Sequence, residues 1–168
     1  TELDSMKQEL IEKTLAPTSD YIWGLWKLYM KCHDKFSFRT DLLRRLIYAG
    51  IPNSLRGEVW SNLAGINEKR ASSNEVSYGC MIQHFSDRIS VATNDIKRDI
   101  HRSLPQHLFF QELQGRQTLE EILCMYSWRN ESIGYCQSMN LICAMLLLYT
   151  TTENAYYLLS VVCGKFHD

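Results

Sequence analysis

The stretch from Asn94 to Pro105 carries an arginine whose guanidinium could act on a partner molecule. Pro105 biases the preceding residue away from helical conformation, so we expect a helix that is capped by Asn94 and ends near Arg102. At about 100° per residue, Arg102 would lie roughly 140° from the stripe formed by Ile96 and Ile100, and would point outward. The commoner alternative is that Arg102 interacts with the helix dipole or with a surface carboxylate.

Asp99 lies shortly before Arg102 on the same predicted helix. Its carboxylate would accept hydrogen bonds from a neighbouring loop, or pair with an arginine such as Arg56. We favour this structural role for Asp99, because charged residues that stand out in a sequence are more often structural than catalytic.

A second polar segment, Ile133 to Asn140, lies between two apolar stretches. Its residue Gln137 has a neutral amide that can accept a hydrogen bond from water and donate one to it, and function commonly resides on loops held by rigid elements. The alternative is a capping role, in which Ser138 or Asn140 begins the next helix and Gln137 satisfies backbone groups. Cys136 could be a nucleophile, yet no paired base is identifiable.

Hydrophobic spacing indicates that helices position both segments. Apolar residues recur at i, i+3, i+4 and i+7 in two sets: Ile22, Leu25, Trp26 and Tyr29, and Leu119, Ile122, Leu123 and Tyr126. No stretch alternates with a sustained period of two, so the sequence predicts an all-α fold. We predict helices over residues 5–15, 20–32, 40–49, 53–64, 77–92, 94–103, 116–129, 139–150 and 152–163.

Start and stop signals support these helices. Three pairs have the spacing of a capping box: Ser5 with Gln8, Thr118 with Glu121, and Thr150 with Glu153. Gly50 and Gly65 follow periodic runs and predict helix ends. The stretch from Ile66 to Ser77 lacks apolar periodicity and is predicted to be a solvated loop.

Composition favours one globular domain. Of the 168 residues, 45% are hydrophobic, which is enough for one apolar core. Lys and Arg total 18 against 19 Asp and Glu, so the net charge of −1 gives no long-range attraction for nucleic acid or anionic lipid. The most apolar run, Leu141 to Tyr149, is about half of the roughly 20 residues that a membrane-spanning helix needs. Six cysteines without a C-x-x-C pair indicate reduced thiols in a cytoplasmic protein.

Three motifs together resemble the signatures of the TBC domains that activate Rab GTPases. Residues 96–102 match the family's I-x-x-D-x-x-R pattern, residues 135–137 match Y-x-Q, and residues 50–60 resemble its opening G-I-P-x-x-L-R-G-x-x-W stretch. The motifs occur in the family's order, and the resemblance covers roughly residues 40–168. It stops before the C-terminal half that complete TBC domains possess.

The resemblance implies an all-α, multi-helix N-terminal lobe over residues 39–168. Residues 1–38 would form leading helices that flank this lobe, and we expect the C-terminal lobe to be absent. The predicted helix over residues 152–163 is apolar around most of its circumference. Such a helix is either central or covered by a segment beyond Asp168.

The resemblance implies that Arg102 is an arginine finger and Gln137 a glutamine finger. They would act in trans on a Rab-type small GTPase in its GTP-bound state, so the chain would activate a hydrolase without being one. It would need no cofactor of its own, because GTP and Mg²⁺ belong to the partner. Asp99, Tyr135 and Arg56 would hold the finger loops.

The resemblance also assigns Ile96, together with Trp60 and Ile100, to core packing. The sequence departs from the family at Ser138, where the family often has glycine. Glycine is needed there only if the backbone takes a positive φ or approaches another group very closely. The family further implies a cytoplasmic protein that is recruited to membranes by regions outside this chain.

The same residues fit other functions less well. The chief alternative is a non-catalytic Rab-binding or scaffolding module, which would keep the fold and lose one or both finger residues; both are present here. A self-contained nucleotide hydrolase needs G-x-x-x-x-G-K-[ST], which the sequence lacks. Metal-dependent hydrolysis is disfavoured because the five histidines never form an H-E-x-x-H pair.

Overall fold

The computed structural model describes residues 19–32, 41–72, 78–85 and 91–164, and every regular element in these ranges is helical, as predicted. The chain divides into two compact units, Thr1–Val59 and Trp60–Asp168. The predicted helix over residues 5–15 lies outside the described residues. The α-helices are α1 (Ser19–Cys32), α2 (Asp41–Ala49), α3 (Arg56–Leu63), α4 (Ile66–Ser72), α5 (Tyr78–Phe85), α6 (Thr93–Ile100), α7 (Leu108–Gln111), α8 (Leu113–Arg129), α9 (Met139–Leu147) and α10 (Thr152–Gly164).

The first unit has its own apolar core, to which α1 and α2 contribute most of the side chains. Its buried members are Leu25, Trp26, Tyr29, Leu46, Leu55 and Val59. The indole Nε1 of Trp26 donates a hydrogen bond of 2.9 Å to the carbonyl of Gly50. Gly50 has a φ of +98° directly after α2, and Gly65 has a φ of +64° shortly after α3. Both predicted helix ends are therefore confirmed, at positions that favour glycine.

The second unit is built around α8, which contacts α5, α6, α7, α9 and α10. The four residues of α8 that were predicted from their spacing are fully buried: Leu119, Ile122, Leu123 and Tyr126. Near the start of α8, a side chain at Gly115 would collide with the backbone carbonyl of Phe109. Glycine therefore permits the close approach of α7 to α8.

The prediction of a solvated loop from Ile66 to Ser77 is wrong for residues Ile66–Ser72, which form the helix α4. Ile66 is buried in the core, and the other contacts of α4 given below are polar. Arg70 Nη2 donates a 2.8 Å hydrogen bond to Asn154 Oδ1 and lies 3.1 Å from Glu153 Oε2, both at the start of α10. A search for apolar periodicity does not detect a helix that is held by such polar contacts.

Several boundaries also differ from the predicted ones. The helix predicted over 77–92 ends at Phe85 within the described residues, and residues 91–92 form a turn. Asn94 is not an N-cap, because α6 begins at Thr93 after an N-cap at Ala92 that makes no side-chain capping hydrogen bond. The helix α6 also ends at Ile100 rather than near Arg102.

The predicted capping boxes in the second unit do not form. Thr118 lies inside α8, which begins at Leu113 because the buried Gly115 does not interrupt it. At the start of α10 the capping side chain is Thr151, whose Oγ1 accepts a 3.3 Å hydrogen bond from the backbone of Asn154. Thr150 Oγ1 instead donates to the carbonyl of Leu146 at 2.9 Å. The pair Ser5 and Gln8 lies outside the described residues.

The apolar helix α10 packs on α4, α8 and α9, and its first half is buried through Ala155, Tyr156, Tyr157, Leu158 and Leu159. Five cysteines of the described residues are free thiols: Cys80, Cys124, Cys136, Cys143 and Cys163. Burial raises the pKa of Cys124 from 9.0 to about 11, so this thiol is protonated and unreactive at neutral pH.

Within the described residues, no helix combines the length and apolar character needed to cross a membrane.

Candidate functional site

The segment that carries Arg102 is fixed to the core by α6. Ile96 and Ile100 are buried in the core of the second unit, which confirms the predicted packing role of Ile96. After α6 ends, the chain turns, and Ser103 is buried while the Arg102 side chain remains 55% exposed. The arginine therefore projects from a turn whose two ends are anchored in the protein.

Asp99 orients this arginine. Its side chain is only 10% exposed, and Oδ1 accepts from Arg102 Nε at 2.9 Å and from Arg102 Nη2 at 2.7 Å. The second carboxylate oxygen, Oδ2, accepts a 2.7 Å hydrogen bond from the hydroxyl of Tyr135. Both oxygens thus have a donor, and one donor comes from the neighbouring loop, as the structural interpretation of Asp99 anticipated.

Tyr135 is the first link between the two polar segments, which are far apart in sequence. Partial burial and the hydrogen bond to Asp99 raise the pKa of Tyr135 well above its ordinary value of 10.0. The phenol is therefore a neutral donor at physiological pH. This hydrogen bond brings the Tyr135 loop to the end of α6.

The two candidate fingers, Arg102 and Gln137, lie side by side on the surface. Both side chains are exposed. The Gln137 amide has two possible orientations, and the one in which its oxygen and nitrogen both have suitable neighbours directs Oε1 toward the guanidinium. In that orientation Oε1 accepts from Arg102 Nη1 at 3.0 Å and also from Nη2. An exposed cation and an exposed amide are thus held together above a buried carboxylate.

A second set of contacts, which sequence reasoning missed, lies beneath the fingers. Asn140 Nδ2 donates to Ser103 Oγ at 2.7 Å and to the main-chain carbonyl of Asp99 at 3.2 Å. Ser103 Oγ donates to the same carbonyl at 2.8 Å. Asn140 was considered only as a helix cap, and nothing in the sequence marks Ser103. Buried polar contacts of this kind leave no periodic pattern.

The backbone is unusual close to each candidate finger. Leu104 and Ser138 are the two non-glycine residues with positive φ in the described ranges, at 48° and 83°. Ser138 occupies the N-cap position of α9, yet its side chain makes no capping hydrogen bond. The condition under which glycine would be favoured at this position is therefore met, and serine adopts the conformation instead. Such conformations cluster at functional sites, because the surrounding structure must impose them.

Arg56 lies in the first unit, where its Nε donates a 3.1 Å hydrogen bond to the carbonyl of Ile51. Its support of the finger loops stays a prediction.

Trp60 is partly buried against the core of the second unit and makes an edge contact with Tyr149, with ring centroids 5.2 Å apart. Trp60 thus has the packing role that was predicted for it.

Comparison with known proteins agrees with the three motifs. The family model described as the Rab-GTPase-TBC domain matches residues 53–168. A protein of Emericella nidulans is 37% identical over 143 residues, which are 84% of this chain and 13% of that protein. GTPase-activating protein gyp2 of Schizosaccharomyces pombe is 37% identical over 125 residues, 74% of this chain and 17% of gyp2. The chain therefore spans less than a fifth of these relatives.

A solved structure gives the same result for the fold. The crystal structure of the Chlamydomonas flagellar RabGAP TBC domain aligns with a TM-score of 0.70 at 27% identity. The alignment covers 95% of this chain and 51% of the crystallised chain. Because the family model matches well over half of the sequence and the fold agrees, this chain belongs to the Rab-GTPase-TBC domain family.

Proposed function

We propose that this chain supplies an arginine finger, Arg102, and a glutamine finger, Gln137, to a Rab-type small GTPase in its GTP-bound state. The observation that carries the proposal is their juxtaposition, in which an exposed guanidinium and an exposed amide share one surface and are oriented by Asp99 and Tyr135. The name of gyp2 as a GTPase-activating protein supports the same class of activity.

The chemistry of GTP hydrolysis explains why these two groups would serve together. Negative charge spreads over the oxygens of the transferring phosphoryl group, so a cation supplied from outside lowers the barrier. The attacking water must also be aligned, and a neutral amide can both accept from that water and donate to a neighbouring oxygen. GTP and Mg²⁺ would be those of the partner, and this chain would activate hydrolysis without hydrolysing nucleotide alone.

The contacts at Arg102 divide its guanidinium into a side held by Asp99 and a side that faces Gln137. Asp99 takes the Nε hydrogen and one Nη2 hydrogen, which fixes the plane of the group. Of the three remaining N–H donors, one on Nη1 and one on Nη2 face Gln137, whose amide oxygen accepts from both. On engagement, Gln137 would turn to the water and expose these donors to phosphate. The cost is the exchange of these two hydrogen bonds, each worth roughly 1 kcal/mol, for bonds to water and phosphate.

Single-turnover GTP hydrolysis across a panel of Rab proteins tests the proposal. The assay uses this chain and a C-terminally extended form, because the alignment covers only 51% of the crystallised chain. We expect acceleration of at least one Rab, with a loss of about 10³-fold or more in Arg102→Ala and of a comparable order in Gln137→Ala.

Matched controls separate the fingers from general surface effects. Arg98→Ala removes an exposed arginine of α6 that pairs with Asp95 at 3.3 Å, and Gln117→Ala removes an exposed glutamine of α8. Both variants should retain full activity. Binding to a GTP-loaded Rab without acceleration, in both lengths of the protein, would contradict the proposal and identify a scaffolding module instead.

A further inference from the structure

Two buried polar side chains lie directly beneath the proposed fingers. Ser103 is 1% exposed and Asn140 is 2% exposed, and the two are joined by a 2.7 Å hydrogen bond. They come from different segments, the turn after α6 and the first turn of α9. Buried polar groups in this arrangement need defined partners, since an unsatisfied one is costly.

The main-chain carbonyl of Asp99 is the shared acceptor of this group. It lies at the end of α6, where helix carbonyls lack their usual partners. It accepts from the backbone N–H of Arg102 at 3.1 Å, from Ser103 Oγ at 2.8 Å and from Asn140 Nδ2 at 3.2 Å. The Asn140 amide nitrogen thus contacts two acceptors that are themselves joined by a hydrogen bond, Ser103 Oγ and the carbonyl of Asp99. Asn140 therefore attaches the start of α9 to the turn after α6.

These hydrogen bonds place Gln137 between two attachments to the same residue. On one side, the Tyr135 hydroxyl bonds to Oδ2 of Asp99; on the other, the Asn140 amide bonds to the carbonyl of Asp99. A loop held at one point can pivot, whereas a loop held at two points has a defined orientation. The left-handed backbone of Ser138, which lies between these attachments, is consistent with such an imposed geometry.

We infer that Asn140 and Ser103 are positioning residues that set the distance between the two fingers by tying the glutamine segment to the main chain of Asp99. Asp99 also holds Arg102 through its carboxylate. One residue thus serves as the common reference point for both fingers. The inference rests on the proposed function and adds to it a requirement on residues that touch neither GTP nor water.

Two variants and one control test this role by single-turnover hydrolysis. Asn140→Ala should lower the maximal rate by about ten- to a hundredfold, the order of effect that a displacement near 1 Å produces, while KM changes less than about twofold. Ser103→Ala keeps the Asn140 bond to Asp99 and should lose about three- to tenfold. The control Ser127→Ala removes another buried hydroxyl, which donates to the Cys124 carbonyl at 2.8 Å within α8, and should retain its rate.

A second background distinguishes positioning from a purely structural role. In Gln137→Ala there is no amide to misplace, so adding Asn140→Ala should cause much less further loss than it does in the parent protein. Equal losses in both backgrounds, or an unchanged maximal rate in Asn140→Ala, would overturn the inference while leaving the fingers in place. If Asn140→Ala does not fold, Ser103→Ala in the two backgrounds decides the question. Full activity of Arg102→Ala and Gln137→Ala would overturn the proposed function and this inference together.

Discussion

The two segments that carry the proposed fingers Arg102 and Gln137, together called the finger region, and the core around α8 are held by different kinds of interaction. The core contains fully buried apolar side chains such as Ile122, Leu123 and Leu159, whose packing has little directionality. The finger region is built on Asp99 and Asn140, which are nearly as buried and form hydrogen bonds of defined direction. Stability and the geometry of the proposed fingers therefore depend on separate residues, so substitutions should affect one and largely spare the other.

The largest expected effect is at the exposed end of the finger region. Arg102→Lys keeps the charge but loses the planar fork that contacts Asp99 and Gln137 together. We expect the maximal GTP hydrolysis rate of a responsive Rab to fall about 10³-fold, near the lower end of the effect of an arginine finger. The free energy of unfolding, measured with urea, should hardly change, because the side chain is 55% exposed. Near-normal activation by this variant would contradict the proposed role of Arg102.

The opposite pattern should appear in the core. Leu123→Ala removes a fully buried side chain of α8, so the free energy of unfolding should fall by about 3 kcal/mol. Activity per folded molecule should remain within about twofold, because Leu123 is a core residue and the hydrogen bonds at Asp99 do not include it. Urea unfolding and single-turnover hydrolysis on the same preparations measure both quantities. A large loss of activity in the folded variant would show that packing, too, sets the finger geometry.

The same division explains what the sequence could predict. Helices α1, α8 and α10 were predicted because apolar side chains recur along them at helical spacing. Helix α4 was missed because Arg70 attaches it to α10 through polar contacts. Helix α7 was missed because it is only four residues long and its N-cap has no strong sequence signal. The cap is His107, whose Nδ1 accepts a hydrogen bond from the backbone N–H of Phe109.

At the candidate site, the sequence motifs identified Arg102 and Gln137 but could not show that they meet. Their proximity depends on the Tyr135 and Asp99 hydrogen bond, which joins residues 36 positions apart. The supporting pair Ser103 and Asn140 was missed for the same physical reason. A contact between distant segments is specified by the tertiary fold, and local spacing contains no record of it.

A smaller effect is expected at the hydrogen bond that joins the segments. Tyr135→Phe removes the donor to Asp99 Oδ2, so the free energy of unfolding at neutral pH should fall by about 1.5 kcal/mol. We expect the hydrolysis rate to fall only about three- to tenfold, since Asn140 still attaches the loop. Loss comparable to that of Arg102→Lys would mean that the loop has a single effective attachment.

The pH dependence of the same variant provides an independent check. Because the pKa of Tyr135 is raised in the folded state, its stabilising contribution is complete below the ordinary pKa of 10.0. Above that pH the unfolded phenol releases its proton while the folded one retains it, so stability falls as pH rises. The stability difference between the parent protein and Tyr135→Phe should therefore shrink as pH rises from about 10 to 11, where other tyrosines affect both proteins equally. A difference that stays constant over this range would argue against the raised pKa.

The smallest effect concerns backbone strain, which the finger region has and the core helices lack. Ser138 has a φ of 83° and makes no capping hydrogen bond, so Ser138→Gly should relieve roughly 1 kcal/mol of strain and lose about half of that to the greater freedom of the unfolded chain. The expected gain in the free energy of unfolding is only about 0.5 kcal/mol. Ser138→Ala should match the parent, whereas Ser138→Val should be clearly less stable, because β-branched residues tolerate positive φ poorly. A loss in Ser138→Ala as large as in Ser138→Val would show that the hydroxyl, rather than the backbone conformation, matters at this position.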